Sequence, residues 1–313
     1  MEFKHIPVLL DECIEGLNIN PDGIYVDCTV GGAGHSSAIA AKLSGNGKLI
    51  ALDRDPDAIK AASERLSRFP NATVIHRNYS ELDSVLSELG INSVDGILMD
   101  LGVSSYQLDE ENRGFSYHSA DAPLDMRMSQ TGMSAADLVN SFSEQQLSAI
   151  IFEYGEEKFA RRIASNIVLA RESGPIRTTS QLADLIRKSI PQKARREKNP
   201  CKKTFQAIRI AVNGEFDHLT GGLDKAFAHL KPSGRLAVIT FHSLEDRIVK
   251  KRFAEWCKGC ICPPDFPQCV CGHKPQGALV NKKPIEAETK ELEANNRSRS
   301  AKLRIIERSA ENG

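Results

Sequence analysis

Apolar positions in the first hundred residues alternate between short continuous runs and a spacing of three to four. Ile24-Tyr25-Val26-Asp27-Cys28-Thr29-Val30 is a β-rich run ending in Gly31-Gly32-Ala33-Gly34. Ser36 to Leu43 then carries Ala and Leu at helical spacing. Leu49-Ile50-Ala51-Leu52-Asp53 is a second strand of the buried type. Asp55-Pro56 opens a helix with Ala58, Ile59, Ala62 and Leu66 on one face, since proline suits the first helical position. Ala72–His76 is a third strand, and Leu82, Val85, Leu86 and Leu89 mark another helix. Val94–Asp100 is a fourth strand. Strands separated by helices predict parallel βαβ units and a doubly wound α/β sheet.

The alternation then stops. From about Gln107 to His218 the pattern is helical, clearest at Ala135–Val139, Glu144–Tyr154, Phe159–Arg171 and Ser180–Ile190. Strand signals return at Gly234–Phe241 and at Ala301–Ile306. A discontinuous sheet domain is therefore expected, from residues 1–107 and 219–313, with an all-helical insertion at 108–218. A length of 313 residues suits about two domains. The nearest approach to a linker is the polar stretch Ala287–Arg299.

The glycine-rich turn after strand one lets backbone approach a ligand closely, and the following helix start offers free N–H groups. A dinucleotide, a phosphate and S-adenosylmethionine all fit such a turn. Gly32-Ala33-Gly34-His35-Ser36-Ser37 has Ser where a dinucleotide fingerprint has its third glycine, so that match is weak. Asp27, beside the loop, would repel a pyrophosphate but suits the cationic amino-acid end of S-adenosylmethionine. Asp53 ends strand two, where a ribose-binding carboxylate belongs. Tyr79 follows strand three and Asp100 ends strand four. Ligands of such sheets sit outside the carboxyl ends of the strands, so all four converge on one edge.

Composition adds bounds. With 41% hydrophobic and 26% charged residues, the chain is ordinary for a soluble globular protein. No stretch approaches the roughly 18 apolar residues of a membrane span, and the start has no secretory pattern. A cytoplasmic protein with no membrane partner is expected. The 41 basic and 41 acidic residues cancel, an average that argues against a nucleic-acid partner. The distribution does not: residues 1–100 carry 8 basic against 15 acidic, whereas residues 187–209 carry 9 against 1. A compact basic segment of this kind fits phosphate contact.

Several segments together resemble the bacterial small-subunit ribosomal RNA methyltransferase H family. They are His5–Glu12; Asp27–Ser36; Asp53-Arg54-Asp55; Asp100–Ser105; Arg113–Ser116; Pro123–Met128; Thr204–Ile210; and Phe241–Arg247. They span nearly the whole chain in the family's order. The resemblance implies a class I (Rossmann-like) methyltransferase sheet with an inserted all-helical substrate domain. It implies S-adenosylmethionine as cofactor and transfer to N4 of a cytosine in the decoding centre of 16S rRNA. Its cofactor contacts fall on Ala33, Gly34, His35, Asp53, Tyr79, Asp100 and Gln107. Asp100 is also the candidate for accepting hydrogen bonds from the reacting amine, with His242 and Ser243 as second candidates. Arg195, Arg196, Lys202, Lys203 and Arg209 are the expected RNA contacts. Lys203 stands where the family usually has Arg, which keeps the charge and loses the bidentate fork. The implied partner is small-subunit rRNA or the 30S particle, and a homodimer is compatible with the sequence. Alternatives are a methyltransferase on another RNA or DNA base, and a non-catalytic RNA-binding assembly factor. Asp27 and the missing third glycine count against a nicotinamide oxidoreductase.

Five of the eight cysteines crowd into Cys257-x2-Cys260-x-Cys262-x6-Cys269-x-Cys271, with His273 close by. This resembles a small zinc knuckle, yet the spacing matches no standard pattern. No metal site is expected on spacing alone.

Overall fold

A computed structural model describes residues 7–118, 121–193, 199–263, 266 and 268–310. The chain divides into two compact units, one of residues 1–102 and 218–313, the other of residues 103–217.

The first unit is built on a seven-stranded sheet: β1 Ile24–Asp27, β2 Lys48–Asp53, β3 Ala72–His76, β4 Val94–Asp100, β5 Leu230–Thr240, β6 Gly277–Leu279 and β7 Lys302–Arg308. The spatial order is β3-β2-β1-β4-β5-β7-β6. Strands β1 to β5 pair in parallel, and β7 lies antiparallel to β5 and β6. The chain order reverses between β1 and β4, where such sheets open a crevice at their carboxyl edge.

Side chains alternate across the sheet, and both faces of the central strands are buried. Val26, Ile50, Ile97 and Met99 face the core shared with Leu82, Val85 and Leu86 and with Leu223, Phe227, Phe253 and Trp256. Tyr25, Leu49 and Leu98 face the opposite way, onto Cys13, Ile14, Leu17 and Ile39. Helices on both faces require near-continuous apolar strands, the pattern the sequence carries.

Local chemistry sets the element ends. Asp55 caps the helix Pro56–Leu66 by accepting from the Asp57 amide at 3.0 Å, with Pro56 at the first turn. β1 ends three residues earlier than its apolar run, because the chain turns at Gly31, whose φ is +47°. β5 begins before the expected Gly234: its pairing with β4 jumps from Leu230 to Arg235. Pro232 lies in that irregular stretch and Ser233 has φ +62°, which hides the strand's start from the pattern. The three-residue β6 is too short for a periodic signal.

The second unit is helical. Its core joins Leu138, Leu147, Ile151, Ile163, Ile167, Leu182, Ile186 and Phe205. The helix Cys201–Asn213 packs along Glu144–Gly155 at a close crossing. A Cβ on Gly155 would lie 2.7 Å from the Lys203 carbonyl oxygen. Gly155→Ala therefore forces two helix backbones apart. It should cost about 1–3 kcal/mol of stability, as overpacking does, read from denaturant unfolding. A variant as stable as the parent would contradict that packing.

Candidate cofactor site

Three carboxylates end adjacent parallel strands. Asp27 closes β1, Asp53 closes β2 and Asp100 closes β4. The loop between β1 and the helix Gly34–Ala40 is tied to all three. The Gly31 amide donates to Asp53 Oδ2 at 2.9 Å. The Thr29 amide donates to Asp27 Oδ1 at 3.1 Å, and the Ser36 hydroxyl donates to Asp27 Oδ2 at 2.6 Å. Thr29 Oγ1 accepts from the Asp100 amide at 2.7 Å, joining the loop to β4.

The loop backbone is unusual. Gly31 and Ala33 both take left-handed conformations, at φ +47° and +58°. For Ala33 that costs on the order of 1–3 kcal/mol, and its fully buried methyl holds it there. Gly34 has no room for a side chain, since a Cβ would meet Pro7 Cγ at 2.3 Å. The loop therefore presents backbone rather than side chains to the crevice.

The electrostatics of the edge are strained. Burial raises Asp27 to about 6, against the hydrogen bonds from Ser36 and Thr29. Burial likewise raises Asp53 to about 6, against the amides of Asp55 and Gly31. Asp100 is pushed well above the ordinary carboxylate range by burial first, then by the charges of Asp27 and Glu245. Its Oδ1 is buried and has no hydrogen-bond partner. Its Oδ2 lies 3.7 Å from His35 Nδ1.

His35 fixes the sense of that contact. Its Nε2 lies 3.0 Å from the Val8 carbonyl oxygen, which only accepts, so Nε2 carries the proton. Burial lowers the imidazole to about 4, so it is neutral near pH 7. Nδ1 then offers a lone pair toward Asp100. Two acceptors face each other unless Asp100 holds a proton or a cation enters. An orphaned buried carboxylate oxygen beside two further carboxylates is a donor set for a cationic ligand. Each Asp53 oxygen already accepts one amide and keeps a second lone pair for a hydroxyl. The residues present fit S-adenosylmethionine.

Ala33, Gly34, His35, Asp53 and Asp100 thus lie together at this edge. Tyr79 follows β3 as expected, with its ring packed against Gly222, where a Cβ would fall 2.5 Å from Cδ2. Gln107 lies in the helical unit. Its side chain accepts from the Ser104 amide at 3.0 Å and closes a capping box. Thr29, Ser36 and Glu245 were not singled out for the site. Their signal is weak, because hydroxyls and carboxylates at loop ends and helix starts are common caps. His242 caps the helix Ser243–Trp256 and its Nε2 lies 3.0 Å from Glu245 Oε1. That is a structural use of the side chain offered as a second candidate for contact with the reacting amine.

The basic segment is only partly available. Arg195 and Arg196 lie outside the described residues. Lys202 is exposed. Lys203 Nζ donates to the Glu156 carbonyl at 2.7 Å. Arg209, expected as an RNA contact, forms a two-pronged pair with Glu215, at 2.8 Å from both nitrogens, and its side chain is 14% exposed. A guanidinium committed in this way is part of the fold. The Thr204-Phe205-Gln206-Ala207 motif is likewise a packing seam: Phe205 is buried and Gln206 donates to the Tyr154 carbonyl at 3.2 Å.

A family model described as the MraW methylase family matches residues 2–309. The chain is 57% identical over 306 residues to "Ribosomal RNA small subunit methyltransferase H" of Clostridium botulinum (strain Kyoto / Type A2), covering 97% of this chain and 99% of that one. It is 55% identical over 311 residues to "Ribosomal RNA small subunit methyltransferase H 2" of Agathobacter rectalis, covering 98% and 99%. Among solved structures, an rRNA methylase from Streptococcus thermophilus aligns over 96% of this chain and 93% of its own, at 13% identity and a TM-score of 0.41.

Two outcomes test the site. Asp100→Asn keeps the shape, removes the charge and gives His35 Nδ1 a donor. It should raise the thermal midpoint of the ligand-free protein. It should also weaken S-adenosylmethionine binding by about tenfold or more, the scale of a charged hydrogen bond of about 1.5–3 kcal/mol; unchanged affinity by calorimetry would refute the role. The second outcome concerns pH. Asp27 and Asp53 titrate near 6 when folded, above the ordinary value near 4. The native state then holds protons that the unfolded chain has released. These two groups therefore add stability as pH falls from about 7 toward 4, opposite to a salt-bridged carboxylate. Carboxyl-carbon NMR titration should place both midpoints near 6, and midpoints near 4 would contradict the assignment.

Proposed function

The chain belongs to the MraW methylase family, and from that premise we propose that it methylates small-subunit ribosomal RNA at the N4 amine of a cytosine in the decoding centre. It is an S-adenosylmethionine-dependent methyltransferase with a class I sheet. The rRNA substrate is inferred from relatives named for it that match nearly the whole chain. The cytosine amine is inferred from the segments the chain shares with that family. The observation that carries the cofactor role is the cluster of Asp27, Asp53 and Asp100 around a backbone loop, with the Asp100 Oδ1 unpartnered.

S-adenosylmethionine supplies an electrophilic methyl on a positively charged sulfur. We assign Asp53 to its ribose hydroxyls and the Gly31–Gly34 backbone to close contact with it. Asp100 and Asp27 meet its cationic end, which offsets their mutual repulsion. The neutral His35 holds Asp100 from the other side. The reacting amine is a poor nucleophile, because its lone pair is delocalised into the ring. Alignment of nitrogen, methyl and sulfur therefore supplies much of the acceleration. The methyl would pass from the sulfur to the amine nitrogen, which would then be acidic enough to release its proton to water. No dedicated base is needed, which agrees with His242 acting as a helix cap.

The target base must be unpaired or extruded to reach a crevice of this kind. Recognition would lean on phosphate contacts and on RNA shape. Of the basic segment, Lys202 is the described residue we assign to phosphate contact. An rRNA substrate implies a cytoplasmic enzyme acting on the 30S particle or its RNA. No helix among the described residues is long and apolar enough to cross a membrane.

Methyl transfer from labelled cofactor to 30S particles, naked rRNA and DNA, with mass mapping of the product, tests this reading. Label on a cytosine amine of small-subunit rRNA is expected. No label in RNA refutes the function, and label on another atom refutes the specificity.

A further inference from the structure

The cysteine cluster lies outside the residues assigned to the cofactor, and its geometry goes beyond what its spacing suggests. The Sγ atoms of Cys260, Cys262, Cys269 and Cys271 all lie within 4.8 Å of one another. Cys269 and Cys271 are 3.6 Å apart, and Cys271 and Cys260 are 3.7 Å apart. Disulfide sulfurs sit about 2.0 Å apart, and all four thiols are free. A tetrahedron of thiolates around zinc, with Zn–S bonds of about 2.3 Å, has edges of about 3.8 Å. The sulfurs therefore surround a space of the right size for one ion.

The backbone is arranged for thiolates as well. The amides of Ile261 and His273 point to Cys271 Sγ at 3.4 and 3.5 Å. The Cys262 amide points to Cys260 Sγ and the Val270 amide to Cys262 Sγ, both at 3.4 Å. Such N–H groups stabilise the negative charge of metal-bound sulfur. Cys257 stands outside the group, and His273 Nδ1 is bonded to the Gly259 carbonyl at 2.7 Å.

The segment needs a cross-link. No described residue from Cys257 to Gln276 is buried, and Ile261, Phe266 and Val270 are 53%, 51% and 73% exposed. Its two ends are joined, because the Gln276 amide donates to the Trp256 carbonyl at 2.8 Å. A short excursion with no core of its own is held by a staple or not held at all.

We propose that Cys260, Cys262, Cys269 and Cys271 form a structural zinc site of four thiolates, which fixes the segment between the helix Ser243–Trp256 and β6. Four protein ligands leave no open position, so the ion is structural and takes no part in chemistry. Tetrahedral sulfur suits iron as well as zinc, but three of the four cysteines are exposed. Redox-inert zinc tolerates that exposure.

The test uses the full chain, expressed with zinc present and purified under reducing conditions. Elemental analysis should find one zinc per chain, retained in Cys257→Ser and lost in Cys271→Ser. Cobalt exchanged into the unmodified protein should show thiolate charge-transfer and tetrahedral d–d absorption, a readout that does not depend on any variant folding. Metal-free protein, iron in place of zinc, a disulfide by mass, or equal zinc in both variants would overturn the proposal.

Discussion

The parallel sheet forces like charges together. Adjacent strands run the same way, so residues that end them share one edge, and here three of those residues are Asp27, Asp53 and Asp100. Burial pushes each toward its neutral form, and Asp27 adds to the push on Asp100. Buried charge of one sign is costly unless something compensates it. Backbone amides compensate Asp27 and Asp53 in part, and those same hydrogen bonds set the shape of the glycine loop. Asp100 is left with an orphaned oxygen and the lone pair of a neutral histidine. The loop, the left-handed Ala33 and the proton on His35 Nε2 leave this edge without a positive charge, which the proposed cofactor would bring.

The helical unit follows a different logic. Its most distinctive motif, Thr204-Phe205-Gln206-Ala207, works as a packing seam against Gly155 and Tyr154. Arg209 is locked to Glu215 inside the fold, and Lys203 satisfies the Glu156 carbonyl just past a helix end. A basic run in sequence thus divides into cations that build the unit and cations left in solvent, such as Lys202.

Much of this was legible in the sequence. β3 and β4 occupy the residues their apolar runs predict: β4, buried on both faces, leaves an unbroken signal, while β3, a partly exposed edge strand, is marked by its β-branched Thr73, Val74 and Ile75. Asp27, Asp53 and Asp100 could be placed at one edge from strand order alone. What was hidden depends on distance in space. The start of β5 is masked by Pro232 and Ser233, and β6 has too few residues to show a period. The partnership of Arg209 with Glu215 looks like any other charge pair in sequence. The cysteines show the limit most clearly: their spacing fits no standard pattern, while their sulfurs lie within one coordination sphere.

The central claim is that a cationic cofactor relieves carboxylates which burial has pushed toward protonation. Calorimetry of S-adenosylmethionine binding at pH 6, repeated in buffers of different ionisation enthalpy, measures the protons exchanged on binding. Release of protons is the predicted result, because binding converts partly protonated Asp27, Asp53 and Asp100 to their charged forms. Binding with no net release, or with proton uptake, would contradict the account.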